Sequence, residues 1–217
     1  LALSGGARAF VVGHSLGGLV AYAAAAALRE RLRGVVTVGS PYVFGRGNRV
    51  LLEVARIGAA LTGLGSGVAF PMRFVQRLFH AQRKLWNARS LPIPIRAWHP
   101  GSIEEELLEE YIRVAFDRAT FGEMAHIAAS GTRGRFASAD GTLDYARTWE
   151  ETDVPTLIVA GTRDLLAPED SVRPAYERSR AQDKTFHAFQ LGHADLLIGR
   201  DAPRMTWPTV SSWIARR

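Results

Sequence analysis

The chain has 217 residues, 47% of them apolar and 22% charged, which are the proportions of an ordinary globular protein with a sizeable core. Its formal net charge is +6, but the arginines are spread along the chain without a block, so nucleic acid is not an expected partner. The sequence has no cysteine, which excludes disulfides, thiolate metal ligands and a cysteine nucleophile.

The start of the sequence is unusual. It has no initiator methionine, and Leu1-Ala2-Leu3 and Ser4-Gly5-Gly6 come almost directly before a predicted strand. We interpret the first residues as the tail of a helix and expect an N-terminally truncated chain. No signal-peptide pattern is visible, which favours a cytoplasmic location. The nearest approach to a membrane span, residues 57–70, is short and rich in glycine.

A predicted strand at residues 9–12 runs into a predicted helix through Gly13-His14-Ser15-Leu16-Gly17. This is the G-x-S-x-G pattern in the strand–turn–helix context that the chemistry requires. The tight turn lifts the Ser15 hydroxyl clear of the sheet, and the Leu16 N–H points to where a substrate oxyanion would lie. We expect a side chain at either flanking glycine to collide with neighbouring backbone. The alternative is a glycine-rich loop with a capping serine.

Taken in order, the remaining patterns predict an α/β chain interrupted by a long helical segment. A helix over residues 16–31, stopped at Gly34, leads into a buried strand at 35–38, and this unit predicts a parallel sheet. Residues 44–151 show helical and loop patterns, with capping boxes at Ser102 with Glu105 and at Thr120 with Glu123. Strands are then predicted at 154–160 and 185–191, and helices at 168–178 and 201–215.

Two further residues follow predicted strands and can join Ser15 in nucleophilic catalysis. Asp164 ends the motif Gly161-Thr162-Arg163-Asp164, and His193 follows Gly192. Each has a structural alternative, since Asp164 can cap its own turn and His193 can be a structural histidine. Asp195 is expected to cap the final helical region. The other histidines show no metal-ligand spacing, so no metal site and no cofactor are expected: His14, His80, His99, His126 and His187.

These three motifs, in the order Ser, Asp, His, resemble those of the α/β-hydrolase family. The segments Gly39-Ser40-Pro41-Tyr42 and 192–197 are similar to those of bacterial lipases and polyhydroxyalkanoate-synthase-like hydrolases. Such synthases usually carry cysteine in place of Ser15, so the serine favours hydrolysis. The resemblance implies an α/β fold, a parallel sheet with flanking helices, with residues 1–44 and 152–217 as a partial core whose early strands are missing. Residues 45–151 would form a helical cap.

The resemblance also implies roles for these residues. His193 would take the Ser15 proton, Asp164 would hold the imidazole, and Ser15 would form an acyl-enzyme that water clears. The Leu16 N–H would be one oxyanion donor, and the second, which the family takes from an early loop, is expected upstream of Leu1. The expected function is hydrolysis of hydrophobic carboxylic esters, as in a lipase or esterase. The alternatives are a polyester synthase or depolymerase relative, a haloperoxidase-type or C–C bond hydrolase, and a non-catalytic truncated scaffold.

Within the predicted cap, residues 73–86 have the pattern of a basic amphipathic helix. Such a helix suits weak contact with a lipid surface, and the alternative is an apolar face packed on the core with a solvated basic face. Residues 50–61 are apolar on most sides, which predicts burial under the cap or the lining of an acyl pocket. The apolar and basic residues of the 73–86 helix are, respectively, Phe74, Val75, Leu78, Phe79, Leu85 and Trp86, and Arg73, Arg77, His80 and Lys84.

Overall fold

The computed structural model describes residues 7–44, 46, 49–60, 69–70, 72–88, 93, 96–115, 119–134, 136–138 and 140–217. The helix tail predicted at residues 1–3 lies outside these residues. The strands are β1 (Ala9–His14), β2 (Leu32–Val38), β3 (Ala69–Phe70), β4 (Ala119–Thr120), β5 (Thr156–Gly161) and β6 (Lys184–Phe189). The helices are α1 (Leu16–Ala27), α2 (Arg49–Ala60), α3 (Met72–Ala81), α4 (Arg83–Trp86), α5 (Glu105–Ala115), α6 (Phe121–Arg133), α7 (Tyr145–Glu150), α8 (Glu169–Arg178), α9 (Asp195–Ile198) and α10 (Thr206–Ala215).

Four parallel strands in the order β1-β2-β5-β6 form the main sheet. The predicted fold class, a parallel sheet with flanking helices, is confirmed. In the register, His14 pairs with Val38, and Val38 pairs with Val159. The carboxyl ends of the strands therefore meet at one edge, where the loops that follow β1, β5 and β6 emerge.

Apolar side chains cover both faces of the sheet. On β2, Val35 packs in one cluster and Val36 in the other, and on β5 Ile158 and Leu157 divide in the same way. This alternation follows from the two-residue period of a strand. Since both faces are covered at β2 and β5, residues 35–38 and 157–160 form mostly apolar runs rather than alternating ones.

Three predicted boundaries were wrong by a few residues. Helix α1 ends at Ala27 and a short 3₁₀ turn over Arg29–Arg31 follows it. Gly34 does not stop a helix but lies inside β2, where an added Cβ would approach Trp213 to 2.7 Å and Phe10 to 2.9 Å. The last helix begins at Thr206 rather than at residue 201, because turns occupy the residues between.

The segment between β2 and β5 is mainly helical, with a two-residue antiparallel pair, β3 and β4, that the sequence did not predict. The capping box at α6 is confirmed: the Thr120 hydroxyl accepts from the Glu123 N–H, and the Glu123 carboxylate accepts from the Thr120 N–H. The box predicted at Ser102 was wrong. The Ser102 hydroxyl contacts the His99 carbonyl and the Asp195 carboxylate instead, and α5 begins only at Glu105.

Helix α7 ties the end of this segment to the main core. The Trp149 ring is fully buried, lies 4.6 Å from the Tyr22 ring of α1, and donates from Nε1 to the Ala175 carbonyl at 2.8 Å. The division into a core of 1–44 and 152–217 and a cap of 45–151 stays a prediction. Among the helices of the described ranges, none is long and apolar enough to span a membrane.

Two adjacent glycines of α1 give a matched stability test. A Cβ at Gly18 would overlap the Ser40 hydroxyl, whereas one at Gly17 meets no described atom within 4 Å. We expect Gly18→Ala to lower the free energy of unfolding by about 1–3 kcal/mol through overpacking, and Gly17→Ala to leave it nearly unchanged. Urea unfolding of both variants measures this, and equal values would contradict the close approach of α1 to Ser40.

Candidate active site

Ser15 lies in the turn between β1 and α1 with a backbone φ of 55°, and it is the one non-glycine residue of the described part of the chain with a positive φ. Such a conformation costs about 1–3 kcal/mol and persists only where its surroundings enforce it. Here a Cβ at Gly13 would overlap the Gly17 carbonyl, and the Ser15 N–H donates to the Val38 carbonyl at 3.0 Å. The turn therefore holds the Ser15 side chain at the carboxyl edge of the sheet.

The flanking glycines do not behave alike. Gly13 needs to be glycine because the helix backbone lies against it, as expected, but the expected collision at Gly17 was wrong. Leu16 is the first residue of α1, so its backbone N–H has no acceptor within the helix. This N–H and the positive end of the helix dipole lie beside Ser15 and suit a developing negative charge.

The structure brings the three predicted residues together. His193 Nε2 lies 2.8 Å from Ser15 Oγ, and His193 Nδ1 lies 2.8 Å from Asp164 Oδ2. Because an ionised carboxylate only accepts hydrogen bonds, Nδ1 carries the proton toward Asp164 and Nε2 is left as the acceptor for the Ser15 hydroxyl. Both Asp164 and His193 are buried, which shields this chain of hydrogen bonds from water.

The Asp164 carboxylate makes hydrogen bonds both to its own turn and to His193. Its Oδ1 accepts from the backbone N–H groups of Leu166 and Ala167 at 2.8 and 2.7 Å, so it caps its own turn. Its Oδ2 is left to meet His193. The turn and the imidazole thus fix one carboxylate from two sides.

Gly39, at the end of β2, was not singled out from the sequence as part of the site. Its φ is +54°, and a Cβ there would lie 3.3 Å from Asp164 Oδ2 and 3.5 Å from His193 Nδ1. A side chain would therefore crowd the hydrogen bond between these two groups. The sequence does show a glycine before Ser40-Pro41, but glycine is needed there because of Asp164 and His193, which are far away in sequence.

His14 was singled out from the sequence only as lacking metal-ligand spacing, and it contacts the site directly. Its ring lies 4.7 Å from the His193 ring, and its Nε2–H donates to the His193 carbonyl at 3.0 Å. Burial and, next, the nearby His193 charge lower the pKa of His14 from 6.5 to about 4. His14 is therefore neutral at neutral pH and holds the His193 backbone.

Asp195 was expected to cap the last helical region, and that expectation was wrong. Its carboxylate accepts from the backbone N–H groups of Gly192 and His99 and from the Ser102 hydroxyl. It lies two residues after His193, which was the only signal in the sequence.

His126 and His187 make contacts away from Ser15, whereas the His99 backbone N–H donates to Asp195. His126 donates to the Ala137 carbonyl at 2.5 Å, and His187 stacks on Phe189. In the part of the chain that the structure describes, no group of three or more His, Asp or Glu side chains could hold a metal ion.

The matching family model identifies the chain as a member of the alpha/beta hydrolase family, over residues 1–205. Solved structures share the fold at low identity. A monoacylglycerol lipase from Paleococcus ferrophilus is 17% identical with a TM-score of 0.66, and the match covers 99% of this chain and 71% of the lipase. A thermophilic esterase from Thermogutta terrifontis is 18% identical with a TM-score of 0.59, covering 99% and 67%.

A soluble variant of monoglyceride lipase from Saccharomyces cerevisiae, solved with a substrate analogue, is 13% identical with a TM-score of 0.60, covering 99% of this chain and 62% of the lipase. A search of the curated proteins found no match. At these identities the likeness establishes the fold, and the chemistry of the site has to be argued from its own residues.

The lowered pKa of His14 predicts an acid-sensitive fold. Since the unfolded chain binds a proton near pH 6.5 and the folded chain only near pH 4, stability is lost as pH falls through this range. We expect the free energy of unfolding to fall by up to about 3 kcal/mol more in the wild type than in His14→Gln between pH 7 and 4.

Urea unfolding across this pH range measures the difference, with His187→Gln, a change at an exposed histidine, as the control. An equal loss of stability in His14→Gln and the wild type would show that His14 is not held neutral by the fold.

Proposed function

We propose that this protein is a serine hydrolase that cleaves hydrophobic carboxylic esters through an acyl-enzyme on Ser15. One observation carries the proposal: an unbroken chain of hydrogen bonds from Ser15 Oγ through His193 to Asp164, with both spacings at 2.8 Å. A nucleophile, a base and a group that orients the base are the minimum set for this chemistry.

In the first half of the reaction, His193 Nε2 takes the hydroxyl proton as Ser15 Oγ attacks the ester carbonyl. The carbonyl oxygen becomes an oxyanion, toward which the Leu16 N–H is directed. As the tetrahedral intermediate collapses, His193 gives the proton to the leaving alkoxide and the alcohol departs. Asp164 keeps Nδ1 protonated and stabilises the positive imidazolium while it exists.

In the second half, a water molecule takes the place of the alcohol. His193 removes a proton from the water as its oxygen attacks the acyl-enzyme carbonyl, and the second collapse returns that proton to Ser15 Oγ. The carboxylic acid is released and the site is restored. If an alcohol enters instead of water, the same steps give acyl transfer, which is the chemistry of the polyester synthase alternative.

Exposed apolar side chains beside the reacting groups support a hydrophobic substrate. Leu16 directly follows Ser15, and Leu165 directly follows Asp164, and both side chains are exposed. Of the three similar structures described above, two are named as monoglyceride or monoacylglycerol lipases and one as an esterase. A long apolar acyl chain would cover such side chains and gain from the loss of water contact.

A serine-reactive probe tests the nucleophile. We expect a fluorophosphonate to label Ser15, and we expect no labelling of Ser15→Ala, because the hydroxyl that His193 activates has been removed. Asp164→Asn and His193→Ala should each lower ester turnover by about a thousandfold or more, and together by little more than either alone. Mass spectrometry of the labelled peptide and hydrolysis of a soluble short-chain ester give the two measurements.

Ser211→Ala, which removes an exposed hydroxyl on α10, is the matched control and should label like the wild type. Continued labelling of Ser15→Ala at the wild-type rate would remove Ser15 from the mechanism.

We also propose that residues 73–86 make weak contact with a lipid surface. Phe74 on α3 is 68% exposed and Leu85 on α4 is 51% exposed, so these members of the predicted apolar face are not packed on the core. Arg77 and Lys84 are exposed as well. The side chains of Val75, Phe79 and Trp86 lie outside the described residues. Exposed apolar and basic groups on one short segment suit an anionic lipid surface.

Reversing two of these charges tests the contact. We expect Arg77→Glu with Lys84→Glu to weaken binding to anionic phosphatidylserine vesicles by about tenfold or more, and to leave hydrolysis of a soluble ester nearly unchanged. Arg204→Glu with Arg216→Glu changes the net charge equally at exposed positions elsewhere and should bind like the wild type. Equal loss of vesicle binding and ester hydrolysis would mean that the segment is structural.

A further inference from the structure

Asp195 is a buried carboxylate whose two oxygens are fully used. Oδ2 accepts from the backbone N–H groups of Gly192 and His99, both at 2.9 Å. Oδ1 accepts from the Ser102 hydroxyl at 2.6 Å. Burying a carboxylate is costly unless strong donors replace water, and here three donors converge on it from two parts of the chain.

These bonds join the loop that carries His193 to the segment at residues 97–103. Gly192 precedes His193, and a Cβ there would lie 2.5 Å from Asp195 Oδ2 and 3.2 Å from the His99 nitrogen. Glycine is therefore what allows the carboxylate to reach both backbone amides. On the other side of His193, the Ala194 N–H donates to the Ala97 carbonyl at 2.6 Å.

Apolar packing also joins the loop that carries His193 to the 97–103 segment. Trp98, Ile103 and Leu108 are buried in one cluster with Ala194, the residue after His193. Arg200, a few residues on, donates its backbone N–H to the Ser102 carbonyl at 2.9 Å. The residues before and after His193 are thus each fixed to the 97–103 segment, while the imidazole between them is left to face Ser15 and Asp164.

We infer that Asp195 is a positioning residue that sets the place of His193 by tying its loop to the 97–103 segment, an inference that rests on the proposed function. Asp195 does not bond to the imidazole. It acts through the Gly192 backbone, and a displacement of about 1 Å at a reacting group costs on the order of a hundredfold in rate. The 97–103 segment, in the predicted cap, therefore acts on the base.

The main variant is Asp195→Ala. It leaves the Gly192 and His99 amides without their acceptor and removes one of the two acceptors of the Ser102 hydroxyl, so the loop moves. We expect kcat for a soluble short-chain ester to fall by about tenfold to a hundredfold per folded molecule. KM should stay within about twofold, because nothing that would contact the ester is changed. A residue with a merely structural role would lower stability and soluble yield but leave kcat per folded molecule unchanged.

Asp195→Asn is the conservative rescue. Its amide oxygen can accept from both backbone N–H groups, and its NH₂ group can donate to the Ser102 hydroxyl, so kcat should remain within about threefold. Ser102→Ala changes a loop hydroxyl that is only partly buried, and losing its contacts with Asp195 and with the His99 carbonyl should lower kcat by about fivefold. Asp201→Ala, at an exposed aspartate in the same C-terminal region, is the control that should match the wild type.

A folded Asp195→Ala with wild-type kcat would overturn the inference. If that variant does not fold, Ser102→Ala decides: a fivefold loss of kcat with unchanged stability supports the role, and an unchanged kcat overturns it. A large loss of kcat in Asp195→Asn would also overturn it, since the charge rather than the hydrogen bonds would then act on His193.

The downfield proton NMR resonance of His193 Nδ1–H gives a readout that needs no turnover. It reports the hydrogen bond to Asp164, and we expect it in the wild type and Asp201→Ala, and broadened or lost in Asp195→Ala and Ser102→Ala. A wild type that hydrolyses no ester but shows this pattern would overturn the proposed function alone. If the wild type hydrolyses esters, and if Asp195→Ala and Ser102→Ala both keep this resonance and the wild-type kcat, the positioning role alone would be overturned.

Discussion

The close approach of α1 to the ends of β1 and β2 is the contact on which the rest of the site depends. It is possible because Gly13 and Gly18 have no side chains, and it forces Ser15 into a conformation that an ordinary residue avoids. The parallel register then fixes where the loops after β5 and β6 emerge. Short loops therefore suffice to bring His193 to Ser15 and Asp164 to His193. The strained turn thus sets the position of Ser15, and the regular sheet sets the positions of Asp164 and His193.

Two buried carboxylates fix His193 and its loop at different points. Asp164 meets the imidazole itself, and its second oxygen is held by two amides of its own turn. Asp195 meets only backbone and hydroxyl donors, two residues beyond His193. In both cases converging N–H groups offset the cost of removing the charge from water. Neutral His14, which donates to the His193 carbonyl, adds a third restraint that lacks charge at neutral pH.

Local sequence signals predicted the parts of the site that local structure makes. The turn at Ser15, the loop positions of Asp164 and His193, and the capping box at Thr120 depend on neighbours within a few residues, so their patterns are visible in one sequence. The interpretations of Ser102 and Asp195 were wrong because these two residues bond to each other across more than 90 residues of the chain, a contact that no local pattern shows. Gly34 was misread for the same reason, since Trp213 comes from the last helix.

The order of the strands also governs how the protein emerges during synthesis. β2 pairs with β1 on one side, but its other edge waits for β5, which follows more than a hundred residues later. At about 5–20 residues per second, the ribosome needs roughly 6–24 seconds to make the intervening chain. During that time a mostly apolar strand presents an open edge, and Tyr22 lacks the Trp149 ring that packs against it. A chaperone that binds extended apolar chain would bind the open edge of β2 during this interval.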